Sequence, residues 1–128
     1  MIGSSHREIT KKVVKAYKAW KCPIIETDPT TAETAKLISN CFLTLKVAYA
    51  CEAAKICGVL GVNAKEVMDI VCMDPRIGKS HLDPTLGPVS KESACLPKDA
   101  MALIQDLESR GCNPLLIKTA YAMGVEKG

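Results

Sequence analysis

Residues 31–71 read TAETAKLISNCFLTLKVAYACEAAKICGVLGVNAKEVMDIV, a stretch with no proline and with its first glycine at Gly58. Apolar residues recur at helical intervals through Ala32, Ala35, Ile38, Cys41, Phe42, Leu45, Ala48, Tyr49, Ala53, Ile56 and Val59, the pattern of one long helix. Asp28 and Pro29 break the chain ahead of it, and Thr30 with Glu33 has capping-box spacing. The spacing therefore predicts a helix from residue 30 to about residue 60, which at 1.5 Å per residue is about 45 Å long. Leu37, Leu43, Val47 and Ala50 fall on its other faces. A helix apolar over so much of its circumference is buried on more than one side. The rest of the chain offers few helices to cover it, so the expectation is a homodimer through helix 30–60, with a second copy supplying part of the cover.

Outward from that helix, Ser5 with Glu8 has capping-box spacing, and Ile9, Val13, Val14, Tyr17 and Trp20 predict an amphipathic helix ending near Lys21. Residues 22–26, CPIIE, read as a single strand with no ladder partner in the chain. On the other side, Gly58 and Gly61 end the long helix, and Asn63 with Glu66 caps a shorter one through Met73. Residues 74–97 carry four prolines and little periodicity, a long loop of the kind that is functional or disordered. Helices follow from about Lys98 to Arg110, stopped by Gly111, and from Asn113 and Pro114 to Gly124.

A chain of 128 residues with 48% hydrophobic content suffices for one compact domain. A net charge of +3 and scattered basic residues give no sign of nucleic acid as a partner; Lys11, Lys12, Lys15, Lys18 and Lys21 read as a solvated helix face. No stretch approaches the ~18 apolar residues that span a bilayer, and the N-terminus lacks a signal-peptide core, so no membrane is expected. Seven cysteines, Cys22, Cys41, Cys51, Cys57, Cys72, Cys95 and Cys112, form no CxxC pair. That excludes a zinc site and a secreted disulfide framework. No metal is expected, and the compartment read from these thiols is a reducing cytoplasm.

Two groups of residues can carry chemistry. Cys95 precedes a helix, where free amides and the helix dipole favour a thiolate, with Lys91 and Lys98 adding positive charge. Lys36 and Asn40 stand four apart on one face of the long helix. Taken alone, each pattern fits an incidental loop cysteine or a surface lysine as well as a site.

The segment 31–71, then DPRIG at 74–78, then CLPKDAMAL at 95–103, in that order and mutual spacing, resemble the central part of the nucleotide-sugar 6-dehydrogenases, the UDP-glucose/GDP-mannose dehydrogenase family. The resemblance covers roughly residues 24–110. It implies an NAD-binding Rossmann domain, a central helical domain that makes the dimer, and a C-terminal domain that binds the nucleotide. The expected fold is mainly α: a helical central domain, residues 29–128, built round one long helix and preceded by a helix-strand remnant of a Rossmann domain, residues 1–28.

The implied chemistry is oxidation of a sugar C6 alcohol to the uronic acid, with two NAD molecules used in turn and a thiohemiacetal, then a thioester, on the nucleophile Cys95. Lys36 and Asn40 are implied to stabilise oxyanions at C6 and position the hydrolytic water, and Asp99 to handle the proton. Arg76 and Lys98 are the implied substrate-binding residues, Arg76 reaching the nucleotide sugar across the dimer interface. No cofactor is expected on this chain itself, because no GxGxxG follows a strand.

Before the cysteine the family carries glycines, in a form like GxGxGGSC, where Ser90, Lys91, Glu92, Ser93 and Ala94 stand here. Side chains there crowd the substrate or demand another loop path. Two readings follow: the central piece of a nucleotide-sugar dehydrogenase that is inactive alone, or a non-catalytic dimerisation module derived from that family. A thiol-based redox protein is a distant third, since no resolving cysteine lies near Cys95.

Overall fold

The computed structural model describes residues 1–93 and 95–126. Its elements are β1 (Ile2–Gly3), α1 (Arg7–Tyr17), a 3-10 turn at Lys18–Trp20, β2 (Glu26–Thr27), α2 (Pro29–Leu60), α3 (Ala64–Val71), α4 (Leu96–Ser109) and α5 (Leu115–Gly124). The helical expectation holds, with one long helix at the centre. The chain divides into two compact units, Met1–Ile38 and Ser39–Gly128, with the division inside α2.

In the first unit β1 and β2 pair in parallel, Ile2 with Glu26 and Gly3 with Thr27. This corrects the expectation of an unpartnered strand at 22–26: the strand lies later, at Glu26–Thr27, and its partner is the N-terminus. Ile2 N donates to Ile25 O at 2.8 Å, and Ser4 N to Thr27 O at 3.0 Å, so these strand groups find partners within the chain. Gly3 is fixed by space, because a Cβ there would lie 2.5 Å from Ala32 Cβ. Neither predicted capping box forms. The N-cap of α1 is His6, with no side-chain bond, and Ser4 Oγ accepts the His6 N–H at 3.0 Å instead. α2 starts at Pro29 with Asp28 as its cap: Asp28 Oδ1 accepts Thr31 N at 2.9 Å and Oδ2 accepts Thr31 Oγ1. Those bonds hold the Asp28 carboxyl below its usual range.

In the second unit α2 buries Asn40, Cys41, Thr44, Val47, Ala48, Ala50 and Cys57. Its end is a Schellman motif, Gly61 N donating to Gly58 O and Val62 N to Cys57 O, with Gly61 at φ +69°. Asn63 caps α3 as expected, accepting Glu66 N at 3.0 Å. α4 begins two residues earlier than its periodicity suggests, because Pro97 fits the first turn of a helix. It buries Leu96, Ala100, Leu103 and Ile104 at helical spacing and packs on α5; each such large side chain contributes about 1.5–3 kcal/mol. α5 ends on α2 with almost no gap: a Cβ on Gly124 would lie 3.0 Å from both Ala48 N and Thr44 O.

The long segment between α3 and α4 is anchored at several points. Leu82 is buried with Ala50 and Met68. Lys46 Nζ on α2 donates to Gly78 O at 2.8 Å, and Lys79 pairs with Asp69 at 2.9 Å. Val89 bridges Val125 in parallel. Ala94 lies outside the described residues.

On α2, Phe42, Tyr49 and Ile56 repeat at seven-residue intervals and are more than half exposed, as are Val59 and Leu60. Within the chain alone the long helix is therefore buried along one side and open along another.

Candidate active site

Cys95 is the N-cap of α4 and is exposed. Its carbonyl accepts the Asp99 N–H at 3.0 Å, the first bond of the helix. One turn in, the Asp99 carboxylate is buried. Its Oδ2 accepts Asn40 Nδ2 at 2.6 Å and its Oδ1 accepts Lys98 Nζ at 2.8 Å. A buried carboxylate needs such donors, and here they include an amide from α2 and a lysine whose ammonium reaches solvent. Hydrogen bonding to Asp99 and its charge hold Lys98 above its ordinary range, with the neighbouring Cys95 adding to that direction.

Asn40 is in turn fixed from its own helix. Thr44, fully buried, donates from Oγ1 to Asn40 O at 3.0 Å. Gly124 sits against the Thr44 carbonyl, so the α2–α5 contact and the Asn40 position share one turn of helix.

Beside Asn40 on the same turn, the buried Cys41 thiol is pushed up from its ordinary pKa, by burial first and by the Asp99 charge second. It is a neutral thiol at neutral pH. The sequence pattern does not single out this residue, and the available signal was its adjacency to Asn40.

Lys36 stands one turn before Asn40 on α2, in the first unit, and is exposed. Arg76 is exposed and held by Asp74 in the turn after α3, not by the Asn40–Asp99–Lys98 cluster. The structure therefore brings together Cys95, Lys98, Asp99 and Asn40 at the start of α4. Asp74, in the turn after α3, and Lys46, on α2 and bonded to the Gly78 carbonyl, are further residues whose contacts periodicity does not reveal.

Among the described residues, no group of three or more His, Cys, Asp or Glu side chains could hold a metal, and all seven cysteines are free thiols. No helix among them is long and apolar enough to cross a membrane.

Comparison with known proteins gives the family of the chain. Residues 30–124 match the UDP-glucose/GDP-mannose dehydrogenase family, central domain. The chain is similar to UDP-glucose 6-dehydrogenase AglM of Haloferax volcanii, 35% identical over 103 residues, covering 80% of this chain and 23% of that protein. It is similar also to GDP-mannose 6-dehydrogenase of Azotobacter vinelandii, 31% identical, with 80% of this chain and 23% of that one covered. A solved structure of a UDP-glucose dehydrogenase from Pyrobaculum islandicum superposes with a TM-score of 0.86 at 30% identity, over 95% of this chain and 28% of that one. The chain spans about a quarter of the length of these relatives.

Proposed function

The chain belongs to the UDP-glucose/GDP-mannose dehydrogenase family, as its central domain, and on that premise we propose that it supplies the dimerising core and the thiol half of the catalytic centre of an NAD-dependent nucleotide-sugar 6-dehydrogenase. The observation that carries this reading is the convergence of Asn40 and Lys98 on the buried Asp99, one helical turn from the exposed Cys95.

In the proposed chemistry, the sugar C6 alcohol first loses a hydride from carbon and a proton from oxygen to give the aldehyde. The Cys95 thiol then adds, its sulfur bonding to C6 and a proton ending on the former carbonyl oxygen, to give a thiohemiacetal. Loss of a hydride from C6 and of the hydroxyl proton converts that adduct to a thioester, and water then cleaves the C–S bond to release the uronic acid and restore the thiol. Each of the two oxidations removes two electrons, which NAD accepts when bound. Asn40 and Lys36 stabilise negative charge on the C6 oxygen, and Asp99 takes the proton of the attacking water. Arg76 and Lys98 bind the nucleotide sugar.

The residues present do not fit NAD. The turn from β1 into α1 is Ser4, Ser5 and His6, without the glycine pattern that lets a pyrophosphate approach a helix N-terminus. The β1–α1–β2 unit reads as the end of a Rossmann domain, and this chain by itself does not turn over. The heptad stripe Phe42, Tyr49, Ile56 supports a homodimer through α2, and seven unpaired thiols support a cytoplasmic setting.

The test is a chimera in which residues 30–124 replace the matching segment of a full-length relative. Turnover of UDP-glucose with NAD, abolished by Cys95→Ser, is the expected result. A folded, dimeric chimera with no turnover would instead leave the dimerisation-module reading. One observation favours that second reading: Ser90, Lys91, Glu92 and Ser93 occupy the expected glycine stretch, with Ser90 Oγ bonded to Glu92 Oε2 at 2.6 Å.

A further inference from the structure

The turn after α3 carries a carboxylate with no role in the chemistry described so far. Asp74 Oδ1 accepts the backbone N–H of Arg76 at 3.0 Å and also its Nε–H at 3.0 Å. Oδ2 accepts Nε–H at 3.1 Å and Nη2–H at 2.5 Å. The backbone bond makes an Asx-turn, which ties the carboxylate to the frame of the loop. Through that carboxylate the guanidinium is joined to the same frame.

The frame has its own supports. Asp74 O accepts Ile77 N at 3.1 Å. Lys46 Nζ reaches from α2 to Gly78 O at 2.8 Å and Ile77 O at 3.4 Å.

A guanidinium offers five N–H donors in a planar fork. Side-on pairing through Nε and Nη2 occupies one edge and leaves the end-on edge, the Nη1 hydrogens and the outer Nη2 hydrogen, facing away from Asp74. With the Arg76 side chain 87% exposed, that edge is open to solvent. An exposed pair of this kind contributes little to folding, so its main consequence is orientation.

We propose that Asp74 is the positioning residue for Arg76, holding the guanidinium side-on so that its end-on edge stays presented to the phosphate oxygens of a nucleotide sugar. The inference rests on the reading of Arg76 as a substrate-binding residue. Without Asp74 the arginine samples many rotamers, and binding must then order it.

The test is side-chain 15N NMR on the full 128-residue chain, with the Arg76 Nε–H signal assigned by its loss in Arg76→Lys. Slow Nε–H exchange in the wild type, at least tenfold faster in Asp74→Asn, is expected without any ligand; equal exchange overturns the proposal. UDP-glucose is then titrated onto the chimera that carries residues 30–124 in a full-length relative, as wild type, Asp74→Asn, Arg76→Ala and the double variant. Asp74→Asn is expected to weaken binding about three- to tenfold, the cost of ordering one rotamer-rich side chain, and the double variant to be no weaker than Arg76→Ala. Asp74→Glu is expected to restore part of the loss. Unchanged or tighter binding by Asp74→Asn, with Arg76→Ala weakened, overturns the proposal alone, since Asp74 would then compete with the ligand. Unchanged binding by Arg76→Ala overturns the substrate reading of Arg76 and the purpose given to Asp74, a failure that the ligand-free exchange arm tells apart from the other.

Discussion

Asn40 Nδ2 donates a 2.6 Å hydrogen bond to Asp99 Oδ2 across 59 positions of sequence, joining the long helix to the start of the helix that carries Cys95. Both side chains are buried, so neither can exchange this bond for water without moving a helix.

Asn40→Ala should therefore destabilise the fold by about 1–3 kcal/mol, the cost of leaving a buried acceptor short of a donor. Urea denaturation of both proteins measures it, and a loss under about 0.5 kcal/mol would fall below the range for a buried unsatisfied group. Asn40→Asp should cost more at neutral pH than in acid. Two carboxylates in contact raise the folded-state pKa of the pair, so this variant loses stability as pH rises through the unfolded carboxylate range.

Gly124→Ala places a Cβ 3.0 Å from backbone atoms of Thr44 and Ala48. Those atoms belong to a helix and give way only if α2 or α5 shifts. A destabilisation of about 1–3 kcal/mol is expected, read as a lowered Tm. Because Thr44 holds Asn40, the amide resonances of Asn40 should also move; an unshifted spectrum would uncouple the packing from the site.

Cys41 makes stability fall in alkali. Its folded-state pKa is raised, by burial and then by Asp99, above the ordinary 9.0, so the unfolded chain loses its proton first. The stability held below pH 9 is lost as pH rises from there through the folded value. Cys51 is shifted the same way by burial. The slope of unfolding free energy between pH 9 and 11 should shrink in Cys41→Ala and further in the double variant with Cys51→Ala; identical slopes in all three would contradict this.

Thiol accessibility should sort the cysteines. Cys22, Cys95 and Cys112 are exposed, whereas Cys41 and Cys57 are buried. Brief alkylation followed by peptide mass mapping should label the first three, and Cys41 and Cys57 only under denaturant. Early labelling of Cys41 would mean that the α2–α4 contact opens.

The seam on α2 predicts association. Phe42→Glu with Tyr49→Glu should convert a dimer to a monomer in sedimentation equilibrium while leaving helicity intact, because both positions are exposed in the single chain. A wild-type chain that sediments as a monomer at micromolar concentration would remove α2 as the interface.

Most of the fold was legible because its signals are local. Helical periodicity over 30–60, glycines past helix ends, and Asn63 before Glu66 all act within one or two turns of chain. The misreadings were local competitions decided by neighbours. Asp28 took the cap that Thr30 was expected to provide, since Pro29 already supplies the first helical residue. The strand appeared at Glu26–Thr27 because its partner is Ile2–Gly3, and nothing in CPIIE announces a pairing with residues more than twenty positions away.

The sequence by itself determined a mainly helical domain around one long helix, and the order of the three motifs that mark its family. Only the tertiary structure decided that Asn40 and Lys98 meet on Asp99, that Gly124 must be small, and that Arg76 is held by Asp74. The physical reason is the aperiodic segment between α3 and α4: its path is set by burial of Leu82, by Lys46 on the Gly78 carbonyl and by the Val89–Val125 bridge. Contacts of that range carry no sequence period, so they exist only once the chain has folded.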